Sequence, residues 1–352
     1  MWLSRRKFLK KTAGLALMAR AFDTQSLASS PLVERHLPTG VVYDPVYKQH
    51  ITGLGHPESP SRCDAIMNAL SNANLGDRIF HLKPNLAEEK EILTCHTAEY
   101  IATVKQDIAA SRYMLSTGDS PICRDSLSVA LSAAGGVLTA INAVLNGQVR
   151  NAFCVVRPAD HHATRRRGMG FCIFNSIAVA ARFAQRKHKL GKVLIADWDV
   201  HHGNGTQDIL YEDPTVFYFS THQSPWYRGT GSEEETGKGK GQGYTLNCPF
   251  PAGAGRREIV GAFKEKLVPA TERFKPDLVL VSAGFDSRIG DPLGCFRLTD
   301  EDFFELTHIV QDIAYGSAQG RLTSVLEGGY NLEGLGQAAA AHVKGLVGYG
   351  RD

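Results

Sequence analysis

No CxxC pair occurs among the seven cysteines, at 63, 95, 123, 154, 172, 248 and 295, and their number is odd. That spacing argues against both a disulfide framework and a thiolate zinc site. Most of them lie in apolar runs, where buried free thiols are common; Cys172, beside a motif described below, either packs or lines a pocket. A phosphate-cradling P-loop is also missing: the glycine-rich "GKGKGQG" places Gly239, not Ser or Thr, after Lys238 and reads as a structured loop. No internal repeat is found, which excludes a solenoid. Charge of neither sign dominates, with 39 Lys and Arg against 36 Asp and Glu, so nothing calls for a nucleic-acid partner. "RRR" at 165–167 reads as a solvated loop, with a patch for acidic substrates as the sharper alternative.

Hydrophobic residues at 43% and charged residues at 21% fit a soluble chain with a sizeable core. At 352 residues, one large α/β domain over 29–352 is expected. Residues 1–28 stand apart, because "SRRKFLKKTAGLALMARAF" joins paired arginines to a short apolar stretch and small residues. This resembles a twin-arginine export signal and implies a periplasmic or exported protein. The alternative is a basic amphipathic first helix in a cytoplasmic protein. Arg20 interrupts the apolar stretch, so no membrane span is expected, since one needs about 20 apolar residues.

Short continuous apolar strands are expected at 152–156, 192–196, 215–219, 277–283 and 322–326. Helices are expected at 126–146 (stopped by Gly147), 173–188, 257–273, about 300–314 and about 333–347. This alternation predicts a single three-layer α/β/α domain with a mainly parallel central sheet. After the five strands come "RPADHHA", "DWDVHHGNGT", "STHQSPWYRGTG", "GFDSRIGDP" and "EGGYN". Open parallel sheets bind ligands at the carboxyl ends of their strands, so these segments should converge on one site.

In "DWDVHH", extended residues two apart would put Asp197, Asp199 and His201 on one face, opposite Trp198 and Val200. Carboxylate and imidazole side by side suit a divalent metal, with a third ligand from Asp286 in "AGFD"; zinc takes such ligands at about 2 Å and in catalytic sites keeps a position for water. Alone, DxDxHH could equally be an ion-paired acid cluster on a loop, and a tandem histidine pair is often structural.

Together, RPxxHHA, GFCxFN (170–175), DxDxHHGNGT, SAGFD with GDPLG, and LEGGYN resemble the histone deacetylase family, particularly its class II and bacterial deacetylase-like branch, over about 40–345. The resemblance implies a zinc-dependent amidohydrolase that removes acetyl or short acyl groups from lysine-like amines, one zinc per chain held by Asp199, His201 and Asp286. Two carboxylates offset the ion's charge, so a strong base is needed nearby. The resemblance makes His162 that base and His161 an electrostatic or proton-shuttling partner, oriented by Asn204 and Asp197 respectively. Some members have aspartate where this chain has Asn204, which should leave His162 less basic here. Tyr330 would polarise the substrate carbonyl.

Substrate-channel roles fall on Gly170, Phe171, Tyr227, Leu293 and Asp119. Gly170 would leave room for an alkyl chain between Phe171 and Tyr227, and Asp119 resembles a rim acid that accepts from a peptide backbone; read alone, it is a loop or capping residue. Tyr227 stands where phenylalanine is usual and Arg228 where proline is usual. Leu293 replaces the glutamate that relatives specialised for acetylpolyamines can carry, which tilts the expectation away from polyamines. Arg62, in "HPESPSR", borders an internal acetate pocket or makes a surface ion pair. Potassium is implied at Asp197, Asp199, His201, Ser220 and Thr221, and at a second place by Leu210, Asp213 and Val216. The expected partner is an acylated lysine or small acyl amine, with the oligomeric state open. Alternatives are an acetylpolyamine or other small-amide hydrolase, an inactive acyl-amine binding protein, or an arginase-like hydrolase with two metals.

Overall fold

A computed structural model describes residues 37–348, so the expected export signal at 1–28 lies outside the described residues. Eight strands form one sheet: β1 (Thr39–Val42), β2 (Ile79–Leu82), β3 (Asn151–Cys154), β4 (Val193–Asp197), β5 (Val216–Gln223), β6 (Thr245–Phe250), β7 (Leu278–Ala283) and β8 (Leu322–Leu326). Their order is β2-β1-β3-β8-β7-β4-β5-β6, and every neighbouring pair is parallel. The helices are α1 (Ser61–Asn72), α2 (Glu89–Ile92), α3 (Ala98–Ala109), α4 (Ser126–Leu145), α5 (Ser176–His188), α6 (Asn204–Leu210), α7 (Arg256–Ala262), α8 (Val268–Phe274), α9 (Asp300–Ser317) and α10 (Leu332–Gly348). Together they make the three-layer α/β/α arrangement.

The five strands expected from apolar runs, β3, β8, β7, β4 and β5, are contiguous at the centre of the sheet. Every residue of β4, β7 and β8 is buried, as required of strands covered on both faces. Each large apolar side chain removed from water there contributes roughly 1.5–3 kcal/mol. Three strands were not expected. The outermost, β2, is half exposed and reads "IFHL"; β1 is only "TGVV", and β6, at the other edge, contains Pro249.

Gly147, at φ +68°, follows α4 as expected. By length and apolar composition α4 could cross a bilayer, but it is mostly buried, packed as a core helix. The helix expected at 173–188 begins later, at Ser176, where the Asn175 side chain accepts from the Ala178 amide at 3.0 Å. Of the residues before it, Gly170 and Phe171 line the site cavity. The helix expected at 257–273 is interrupted by a π-helical segment, Phe263–Leu267, just before Pro269. Proline has no amide to bond back to Glu265, and the wider turn absorbs that gap.

Candidate active site

β4 ends at Asp197, and the chain then bends instead of continuing extended. The expected common face of Asp197, Asp199 and His201 is therefore not formed by a strand. The carboxylates themselves shape the bend: Asp197 Oδ1 accepts from the Asp199 amide at 3.1 Å, and Asp199 Oδ1 from the His201 amide at 2.8 Å. Asp286, after β7, accepts from the Val200 amide at 2.9 Å. Trp198 and Val200 are buried in the core.

This bend turns Asp197 aside and brings three ligands together. One ligand atom each of Asp199, His201 and Asp286 lies within 4.8 Å of the others, all three residues buried. His201 Nδ1 is 3.0 Å from Asp199 Oδ1 and 3.2 Å from Asp286 Oδ2. Burial, and then the charge of Asp199, raises Asp286 to about 7. Burial alone would lower His201, but hydrogen bonds to the two carboxylates outweigh it and lift it to about 10. Two acids that repel each other around one imidazole nitrogen are a donor set that a divalent cation satisfies. The backbone makes room for it: a Cβ on Gly328 would lie 1.9 Å from Asp286 Oδ2, and the Gly328 amide donates to Asp199 Oδ2 at 2.8 Å.

The histidine pair follows β3. His162 Nδ1 donates to Asn204 Oδ1 at 2.7 Å, and His161 Nδ1 to Asp197 Oδ2 at 3.0 Å, the partners expected. Burial, then the neighbouring His161 and His201, holds His162 well below the usual imidazole range. A neutral His162 whose Nδ1 proton is engaged keeps a lone pair on Nε2, the state of a base. His161 behaves oppositely: burial opposes its charge, but Glu327, Asp197 and Asp199 raise it well above the usual value. Glu327 also fixes the backbone here, accepting from the Asp160 and His161 amides at 2.8 and 3.1 Å.

Tyr330 follows β8 and has its backbone tied by Asp291, whose Oδ2 accepts from the Tyr330 and Asn331 amides at 2.7 and 3.1 Å. Burial raises its phenol well above the usual range, so it remains a donor. Arg62 is wholly buried rather than in a surface ion pair. Its Nε donates to the Gly329 carbonyl at 2.7 Å, its terminal nitrogens to the Glu327 carbonyl and to Glu58, and it lies over the Tyr330 ring. Glu58 in turn receives Arg157 Nε and Nη2 at 2.6 and 2.7 Å. Glu58, Arg157, Asp291 and Glu327 were missed as functional residues, although all four lie inside the quoted motifs.

A cavity of about 270 Å³ opens onto His162, His201 and Tyr330, walled by Gly170, Phe171, Trp226, Tyr227 and Leu293. Gly170 has a reason beyond room for substrate: at φ +56°, a Cβ there would lie 2.3 Å from the His162 ring. Phe171 holds φ +68°, an uncommon conformation for a bulky residue, and its ring meets His56 at 4.7 Å. Exposed Asp119 sits at the mouth. Cys172 packs, buried, with Sγ 3.3 Å from the Gly170 carbonyl, and 165–167 is an exposed loop.

Of the residues tied to potassium, Ser220 pairs in register with Asp197, and its Oγ lies 2.9 Å from His222 Nδ1. Thr221 Oγ1 is buried without a hydrogen-bond partner. The Leu210 carbonyl accepts from the Asp213 amide at 2.9 Å, Asp213 also pairs with Arg182, and Val216 opens β5.

Residues 56–346 match the model of the histone deacetylase domain. The chain is 36% identical to histone deacetylase 14, chloroplastic, of Arabidopsis thaliana, over 97% of this chain and 85% of that protein. It is 38% identical to a probable deacetylase of Archaeoglobus fulgidus (84% and 82% covered). Identity to the human polyamine deacetylase HDAC10 is also 38%, over 83% of this chain but 44% of that protein. The crystal structure of the HDA15 HD domain superposes with a TM-score of 0.83 at 36% identity, covering 89% of this chain and 90% of that one. With the domain match spanning most of its length and the site built on that domain's strand ends, the chain belongs to the histone deacetylase family.

Proposed function

We propose that this deacetylase is a zinc-dependent amidohydrolase that removes acetyl or short acyl groups from lysine-like amines. The observation that carries the reading is the convergence of Asp199, His201 and Asp286 beside a neutral His162 and a protonated Tyr330 in one narrow cavity. Asp199, His201 and Asp286 would hold the ion, which supplies a Lewis acid and acidifies water when bound.

The chain's own groups do the rest. His162 Nε2 takes the proton of the attacking water, with Nδ1 anchored on Asn204. His161, kept cationic by its acidic neighbours, stabilises negative charge that develops beside it. The Tyr330 hydroxyl donates to the amide oxygen as it becomes an oxyanion, and protonated His162 returns its proton to the leaving amine. Phe171, Tyr227 and Leu293 exclude water from the acyl-amine chain.

Asp197, Ser220 and Thr221 fit a supporting monovalent cation, favoured by the unpartnered Thr221 Oγ1. Export through the paired arginines near the amino terminus belongs to the same reading and is tested by fractionating cells that carry the full chain. The central experiment measures zinc content and turnover of acetylated amines. Tyr330→Phe should lower kcat about 100-fold to 1000-fold, the usual loss for one oxyanion donor. Stoichiometric zinc with no turnover by the wild-type chain would favour an acyl-amine binding protein instead.

A further inference from the structure

We infer that Tyr227 and Asp119 form a clasp across the mouth of the site that disfavours peptide backbones, so that its substrates are acyl amides of small, slender amines. The inference rests on the deacetylase reading above.

Asp119 is the exposed acid at the opening and the acceptor that a peptide's backbone amides would use there. Its oxygens are already engaged by protein donors. Oδ1 accepts from the Gly170 amide at 2.7 Å, and the Tyr227 hydroxyl lies 3.0 Å from both Oδ1 and Oδ2. Among the described residues, Tyr227 is the one donor recorded on Oδ2. With phenylalanine at 227 that oxygen would face solvent and substrate unengaged. The hydroxyl thus competes for the oxygen to which a backbone amide would donate, and it bonds to a charged acceptor, the stronger kind of hydrogen bond.

The neighbouring residue holds the clasp in place. Trp226 Nε1 donates to the Leu293 carbonyl at 3.0 Å, so consecutive side chains tie the loop after β5 to two different loops around the opening. Arg228, at φ +62°, stacks its guanidinium 5.4 Å over the Tyr227 ring. A peptide competes with the phenol for Asp119, at the expense of a hydrogen bond to a charged group, whereas a small acyl amide makes no demand on that carboxylate. Discrimination of about tenfold or more follows from the strength of such a bond.

The test compares an acetyl-lysine tetrapeptide with N-acetyl-n-butylamine. kcat/KM is measured on zinc-loaded protein and Kd by NMR titration on metal-free protein. Tyr227→Phe should raise the peptide-to-small-amide preference about tenfold in both measurements. Asp119→Asn, which keeps an acceptor for the Gly170 amide, should shift that preference less than about twofold in the wild-type chain and abolish the gain in the Tyr227→Phe background. An unchanged or reduced preference in Tyr227→Phe would overturn the clasp. So would an Asp119→Asn effect as large in the wild type as in Tyr227→Phe. Absence of turnover of both amides would count against the hydrolase reading, while the Kd comparison still decides the clasp.

Discussion

Arg62 lies across the ring of Tyr330, its guanidinium carbon 5.0 Å from the ring centroid, while its Nε holds the carbonyl of the preceding Gly329 at 2.7 Å. A wholly buried cation therefore aims the phenol from behind, and Glu58 and Arg157 anchor that cation in turn. The conformation of Tyr330 is set from α1 and the segment after β3 as much as from its own loop.

Replacing Arg62 should separate packing from aim. Arg62→Met leaves two carbonyls without their donor and unbalances a buried ion pair, a loss of about 3–5 kcal/mol in urea unfolding. Arg62→Lys keeps the charge but not the planar fork. It should remain folded and lower kcat with little change in KM, because Tyr330 is misdirected while the cavity walls stand. A KM effect without a kcat effect would argue against the aiming role.

Asn204 offers a neutral acceptor to the base. An Asn204→Asp substitution places a negative charge beside His162 Nδ1 and favours the imidazolium, so the pKa of His162 rises. Since the base acts deprotonated, the acidic limb of the kcat/KM profile should move to higher pH. A limb that stays in place would assign it to another group.

His96 and His342 are among the buried neutral histidines, with His50 and His222, that limit stability in acid. His96 accepts from the Asn175 amide at 2.8 Å on Nε2 and donates to the Thr164 carbonyl at 3.0 Å on Nδ1, which fixes it as neutral. Burial lowers it to about 4, and lowers His342, between Thr307 and Ser324, to about 3. Above pH ~6.5 neither contributes a pH dependence, because both states are neutral. Below it the unfolded chain binds protons that the folded chain refuses, so each costs about 1.4 kcal/mol per pH unit until its folded pKa is reached. Denaturant unfolding at a series of pH values between 7 and 4 should show this slope, and His342→Asn should reduce it by one proton.

The sheet's centre and the site were legible for the same reason. Strands buried on both faces need unbroken apolar runs, and the polar residues that terminate them, Asp197, Asp286 and Glu327, stand out against that background. Edge strands carry no such constraint: β2 exposes Phe80 and His81, and its four residues read as loop. The bend at 198–201 was illegible because it is made by carboxylates capturing amides two residues on, which residue alternation does not encode. Likewise, the motif around Arg62 offered a surface or an interior reading. Only the three-dimensional placement of Glu58, which receives both Arg62 and Arg157 although 99 residues of chain separate it from Arg157, decides for the interior.

Because the five strands that end in the site all have neighbours on both sides, the loops that carry its anchoring amides leave the most protected part of the sheet. The Gly328 amide on Asp199 and the His161 amide on Glu327 should be among the slowest to exchange with deuterated solvent, while β2 and β6 fray around them.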